Sequence, residues 1–113
     1  MFIGILHGVR ALHLAQIVHY DLKPENVLVD KHGKVEIADI AGDGHYTSAY
    51  MAPEQNRTKK DWTSKCDVWA VGVILHCICT RSCRLPSYRS YCEADPSEFQ
   101  IDQTKFEPCG AKF

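Results

Sequence analysis

Net charge is almost absent from this chain: 13 Lys and Arg stand against 14 Asp and Glu, leaving −1 at neutral pH. A surface so balanced carries no electrostatic footprint for nucleic acid or for an anionic membrane, and both partner classes are set aside. Long apolar runs are missing too. The longest, Val68 to Ile78, is broken by His76 and falls well short of the ~20 residues that a membrane span needs, so it reads as a buried core helix. The apolar opening Met1-Phe2-Ile3-Gly4-Ile5-Leu6 lacks a basic start and meets His7 and Arg10 soon after, which argues against a signal peptide and makes cytoplasmic residence the default. No repeat and no low-complexity tract interrupts the sequence.

Cysteine is present without the spacings that give it chemistry. Cys66, Cys77, Cys79, Cys83, Cys92 and Cys109 all fall in the second half, with no C-x-x-C pair among them. A metal site built from His76, Cys77, Cys79 and Cys83 is one reading; free thiols, several buried as small apolar groups, are the other. Two cysteines two residues apart on a helix point to different faces, which disfavours the metal. Without a secretory signal, a disulfide framework is equally disfavoured.

What is there suits a globular core. The 113 residues are 45% hydrophobic and 24% charged, neither disordered nor fibrous. Phe2, Ile5, Leu6, Val9 and Leu12 recur at helical spacing and predict an amphipathic helix over residues 2 to about 16. Val27-Leu28-Val29 and Val35-Glu36-Ile37 predict a hairpin around Asp30-Lys31-His32-Gly33, with Asp at the first turn position and Gly at the fourth. Residues 40 to 62 are polar and aperiodic and read as a loop. Thr63 or Ser64 then caps a helix with Asp67 in its first turn, where exposed amides favour a carboxylate. From Val68 to Cys79 this helix is apolar on every side and is expected to be enclosed. Residues 81 to 113, with Pro86, Pro96 and Pro108, form a tail of loop with one short helix near Ser97 to Thr104.

The chemistry concentrates in His19-Tyr20-Asp21-Leu22-Lys23-Pro24-Glu25-Asn26. Asp21, Lys23 and Asn26 bring to one point a carboxylate for a substrate hydroxyl, an ammonium for a transferring phosphoryl group and an amide oxygen for magnesium. The stretch resembles the catalytic loop of eukaryotic protein kinases, and its Lys-Pro-Glu wording resembles the serine/threonine branch. Three further stretches follow in the family's order. Ala38-Asp39-Ile40-Ala41-Gly42 is similar to the magnesium-binding Asp-Phe-Gly, with Ile40 and Ala41 in place of Phe and Gly. Thr47-Ser48-Ala49-Tyr50-Met51-Ala52-Pro53-Glu54 is similar to the Ala-Pro-Glu element that seats the substrate, and Asp67 to Leu75 resembles the central helix of the large lobe.

The resemblance covers about residues 3 to 80 and implies an α+β, mainly helical fold: a truncated large lobe of a protein kinase with a small β-hairpin. Residues 1–80 are then a partial kinase domain and 81–113 a tail of unassigned structure. The Gly-rich loop, strand lysine and helix glutamate of a small lobe have no match. By resemblance Asp21 is the catalytic base, Lys23 steadies the phosphoryl group, and Asn26 and Asp39 hold magnesium. Leu28 forms the floor of the adenine pocket, and Thr47 hydrogen-bonds the catalytic Asp and Lys. Asp67 and Glu54 are scaffolding, the first holding the catalytic-loop backbone and the second pairing with an Arg of later helices. The implied cofactor is Mg-ATP and the implied partner a protein substrate or a partner chain. Tyr20 stands where the family carries the Arg that reads a loop phosphate, so control by such a phosphate is not implied. Two functions follow from this reading: phosphoryl transfer to Ser or Thr, with the fragment alone expected to be inactive, and a pseudokinase-like interaction module.

Overall fold

The structure is a computed structural model that describes residues 1–40, 44 and 46–80. The expected tail and its short helix, Cys83, Cys92, Cys109 and Ala41 lie outside the described residues.

Helix α1, Phe2–Leu14, buries Ile5 and Val9 from the predicted apolar face. It stops two residues short of the expected end because Gln16 turns left-handed (φ 60°). The amides of Gln16 and Ile17 then donate back to the carbonyls of His13 (3.0 Å) and Leu12 (2.9 Å), closing the last turn.

The predicted hairpin is present. β1 (Val27–Val29) and β2 (Val35–Ile37) pair antiparallel, with Val27 opposite Ile37 and Val29 opposite Val35. Asp30 organises the turn: its Oδ1 accepts the amides of His32 (2.8 Å) and Lys34 (2.9 Å), while Gly33 takes the left-handed conformation that the turn needs (φ 80°). α1 lies on β2 through two glycines. A Cβ at Gly4 would meet Val35 Cγ2 at 2.6 Å, and one at Gly8 would meet Ile37 Cδ1 at 2.8 Å. Helix and ribbon approach this closely only because neither position carries a side chain.

Residues 46–62 are more ordered than a plain loop. Three short 3₁₀ turns, Ser48–Tyr50, Pro53–Asn56 and Lys59–Asp61, follow one another. Turns of three or four residues are too short to show a hydrophobic period, so the sequence pattern passes over them. Helix α2, Lys65–Thr80, begins where expected, with Thr63 Oγ1 accepting the Lys65 amide at 3.3 Å.

The core joins α1, the loop that carries Leu22 and α2: Ile5, Val9, Leu22, Ala70, Val71 and Ile74, with Val27, Val35 and Ile37 packed against it. The expectation that α2 is enclosed on every side is corrected. Its inner face is buried, but Val68 is 62% exposed and Leu75 and Ile78 also reach the surface. Among the described residues no helix is long and apolar enough to cross a membrane.

Candidate active site

The site is built from α2 outwards. Asp67, in the first turn of α2, is only 1% exposed, and such a carboxylate is tolerable only if its oxygens are satisfied. They are. Oδ2 accepts the backbone amide of His19 (2.9 Å) and the Nε2–H of His13 on α1 (2.8 Å), and Oδ1 accepts the amide of Tyr20 (2.9 Å). Tyr20 is thereby held at φ 65°, a conformation that costs a non-glycine residue about 1 to 2 kcal/mol. From the other side, Gln55 Nε2 donates to the Tyr20 carbonyl at 3.0 Å while Gln55 Oε1 accepts the Ala52 amide at 2.8 Å.

His19 fixes the next step. Its Nδ1 accepts the Asp21 amide (3.2 Å), so its proton sits on Nε2, which donates to the Ala38 carbonyl at 2.9 Å. One buried imidazole thus ties the loop carrying Asp21 to the segment carrying Asp39. The ladder adds a second tie, the Ala38 amide donating to the Asn26 carbonyl at 2.9 Å.

Asp21, Lys23 and Thr47 converge. Asp21, 7% exposed, accepts the Thr47 amide on Oδ1 at 2.9 Å and lies 3.1 Å from Lys23 Nζ through Oδ2. The same ammonium donates to Thr47 Oγ1 at 2.9 Å. The hydrogen bond to Asp21 holds the Lys23 pKa above the ordinary lysine value, so the ammonium stays charged. A carboxylate and a hydroxyl bridged by one fixed cation form a site able to orient a hydroxyl and neutralise a transferring anion.

Asn26 is buried, and its Nδ2 donates to the Asp21 carbonyl at 3.0 Å, leaving Oδ1 as the atom it has to offer. Asp39 turns left-handed at φ 60° just past the hairpin. An amide oxygen and a carboxylate are the hard donors that magnesium takes, and so small a set suits an ion whose other ligands are water and phosphate oxygens. The other metal reading of the sequence is the set His76, Cys77, Cys79 and Cys83. Among the described residues no three His, Cys, Asp or Glu side chains converge on a common point, and Cys83 of that proposed set lies outside them.

The family model described as a protein kinase domain matches residues 1–107, nearly the whole sequence. The chain belongs to the protein kinase family. A carbon catabolite-derepressing protein kinase of Saccharomyces cerevisiae is 41% identical over 96 residues, which cover 75% of this chain and 15% of the yeast protein. A mitogen-activated protein kinase kinase of Aspergillus fumigatus is 37% identical over 83 residues, 64% of this chain and 16% of the relative. A kinase of Encephalitozoon cuniculi named for serine/threonine specificity is 37% identical over 82 residues, 63% of this chain and 26% of the relative. The chain therefore spans 15 to 26% of the length of these relatives.

In this kinase chain the remaining expected residues are Leu28 and Glu54. Leu28 on β1 is 52% exposed, an open apolar side chain of the hairpin itself. Glu54 Oε1 accepts the Cys66 thiol at 3.7 Å. Burial, with the Glu54 carboxylate also nearby, pushes the Cys66 thiol up.

Sequence reasoning gave no role to His13 or Gln55, and left His19 as a letter in a motif. Gln55 alone had a local signal: a Gln three residues after a helix-entry position is half of a capping box, and Ala52 lacks the side chain for the other half. The kinase motifs were equally silent about Trp62. Its indole packs against Tyr20 and Tyr46, and its buried Nε1 has no partner among the described residues. Such an N–H costs about 1 to 3 kcal/mol, so its ring contacts must repay its position.

Proposed function

We propose that this chain carries the phosphoryl-transfer side of a serine/threonine protein kinase, its large lobe, with Asp21 as the base that orients the substrate hydroxyl. The observation that carries the reading is the joint engagement of Asp21 by Lys23 Nζ and by the Thr47 amide. In this reading Lys23 steadies the transferring phosphoryl group and Thr47 serves a hydroxyl-bearing protein substrate. Asn26 and Asp39 are the residues that would hold magnesium, whose role when bound is to neutralise the nucleotide phosphates. Leu28 supplies one apolar wall for adenine. Its exposure supports a cleft whose other wall comes from elsewhere, in a longer protein or a partner chain. A chain of this kind works in the cytoplasm.

A second reading, a pseudokinase-like interaction module, draws on the exposed Val68, Leu75 and Ile78, which would suit a protein partner. Titrating the chain with Mg-ATP while following backbone amide resonances separates the two. One wall of a cleft should bind no tighter than about millimolar, near −4 kcal/mol, with shifts at Asn26, Leu28 and Asp39 that vanish in Asp39→Asn. Silence at all three positions at saturating nucleotide would favour the module.

A further inference from the structure

Tyr20 and Tyr46 each stand one residue before a member of the central pair, Asp21 and Thr47, and both rings pack on the same indole. The Tyr20 ring lies 5.4 Å from Trp62 between centroids, tilted at 50°; the Tyr46 ring lies 4.9 Å away, edge-on at 82°. Lys59 Nζ caps the group, 5.6 Å from the Tyr46 centroid and 5.7 Å from that of Trp62. Three segments far apart in sequence therefore meet at Trp62: the loop with Asp21, the segment with Thr47 and the turn that leads into α2.

The two segments are fastened twice at adjacent positions. Asp21 and Thr47 are joined by the Thr47 amide, and Lys23 bridges to the Thr47 hydroxyl. One residue earlier the rings of Tyr20 and Tyr46 are joined through Trp62. The two ends of this second fastening differ in kind. Tyr20 is pinned through its own backbone, its amide to Asp67 and its carbonyl to Gln55. Tyr46 meets that fixed wall through Trp62.

We propose that Trp62, with Tyr20 and Tyr46, is a positioning clamp that sets where Thr47 meets Asp21, holding the substrate-facing segment against the catalytic carboxylate by aromatic contacts of the chain itself. The proposal rests on the kinase reading for what Asp21 and Thr47 do; the clamp itself is a statement about their register. Ring contacts are not screened by salt, so the register should persist at an ionic strength that weakens an exposed ion pair. Edge-on and tilted pairs of this kind each carry roughly a two- to tenfold effect on a local opening equilibrium.

The test is amide hydrogen exchange on the full chain without nucleotide. Trp62→Leu should speed exchange of the Thr47 amide about tenfold and leave Ile74 in the core of α2 unchanged, and Trp62→Phe, which keeps a ring, should restore most of the protection. Unaltered Thr47 exchange in Trp62→Leu would overturn the clamp. So would equal acceleration by Leu and Phe, or a uniform acceleration that includes Ile74. Should Trp62→Leu fail to fold, Tyr46→Leu against Tyr46→Phe gives the same decision at a half-buried position. Because no catalysis is read, loss of the kinase reading leaves this result standing, and loss of the clamp leaves the kinase reading intact.

Discussion

Asp67 accepts the backbone amide of His19 at 2.9 Å across 48 positions of sequence. The same carboxylate takes Tyr20 and His13, so one buried group sets the entry to the loop that carries Asp21. Asp67→Asn keeps the shape but turns an acceptor into an NH₂ facing donors. Hydrogen bonds to a charged group contribute about 1.5 to 3 kcal/mol each, and the substitution is expected to cost about 2 to 4 kcal/mol overall. Urea unfolding measures it, and exchange at the His19 and Tyr20 amides should quicken with it. A loss under about 0.5 kcal/mol, the range of a neutral surface change, would show that Asp67 does not hold the loop.

Gly4 and Gly8 separate two costs. Replacing a helical glycine by alanine gains roughly 0.5 to 1 kcal/mol in an open helix. Overpacking a close contact loses about 1 to 3 kcal/mol. At Gly4 the new methyl meets both Cγ2 and the stiff Cβ of Val35 at 2.6 and 2.8 Å, whereas at Gly8 it meets the flexible end of Ile37 at 2.8 Å. Gly4→Ala is expected to destabilise by about 1 to 2 kcal/mol and Gly8→Ala by clearly less. Thermal unfolding of the two variants decides; the reverse order would contradict the packing of α1 on β2.

Cys66 gives a pH signature of known sign. Burial raises its folded pKa above that of a free thiol. As pH climbs past about 8.5, the unfolded chain releases the proton first and the folded chain holds it. The stabilisation is full below the free-thiol pKa and falls as pH rises through the folded one. Denaturant midpoints between pH 8 and 10.5 should fall more steeply for the parent chain than for Cys66→Ala. At pH 8 an alkylating reagent should modify the exposed Cys79 well before Cys66. Equal rates would mean that the thiol is not buried as described.

Much of this was legible from the sequence because the signals are local. The period of Phe2 to Leu12 marks α1, the Asp30 to Gly33 turn marks the hairpin, and Thr63 or Ser64 marks the start of α2. The convergence of Asp21, Lys23 and Thr47 was implied by family resemblance, since no local rule joins residues 24 or 26 positions apart. His13 with Asp67, 54 positions apart, is of the same kind and carried no motif to announce it. The glycines that admit β2 were invisible for another reason. A missing side chain registers as neither polar nor apolar, yet Gly4 and Gly8 set the distance between helix and ribbon. The open face of α2 was misjudged because an apolar side chain shows that burial would be favourable, without naming the neighbour that supplies it.

The central claim, that Asp21 is the base of a phosphoryl-transfer site, is tested most directly by grafting. Residues 1–80 of this chain replace the corresponding stretch of the Saccharomyces cerevisiae kinase, and transfer from Mg-ATP to a serine- or threonine-bearing peptide is measured. The account expects turnover that Asp21→Asn lowers by about 10²- to 10⁴-fold with nucleotide affinity unchanged, while Asp39→Asn also weakens Mg-ATP. A folded chimera that binds Mg-ATP and transfers nothing, or one in which both substitutions have equal, small effects, would contradict it.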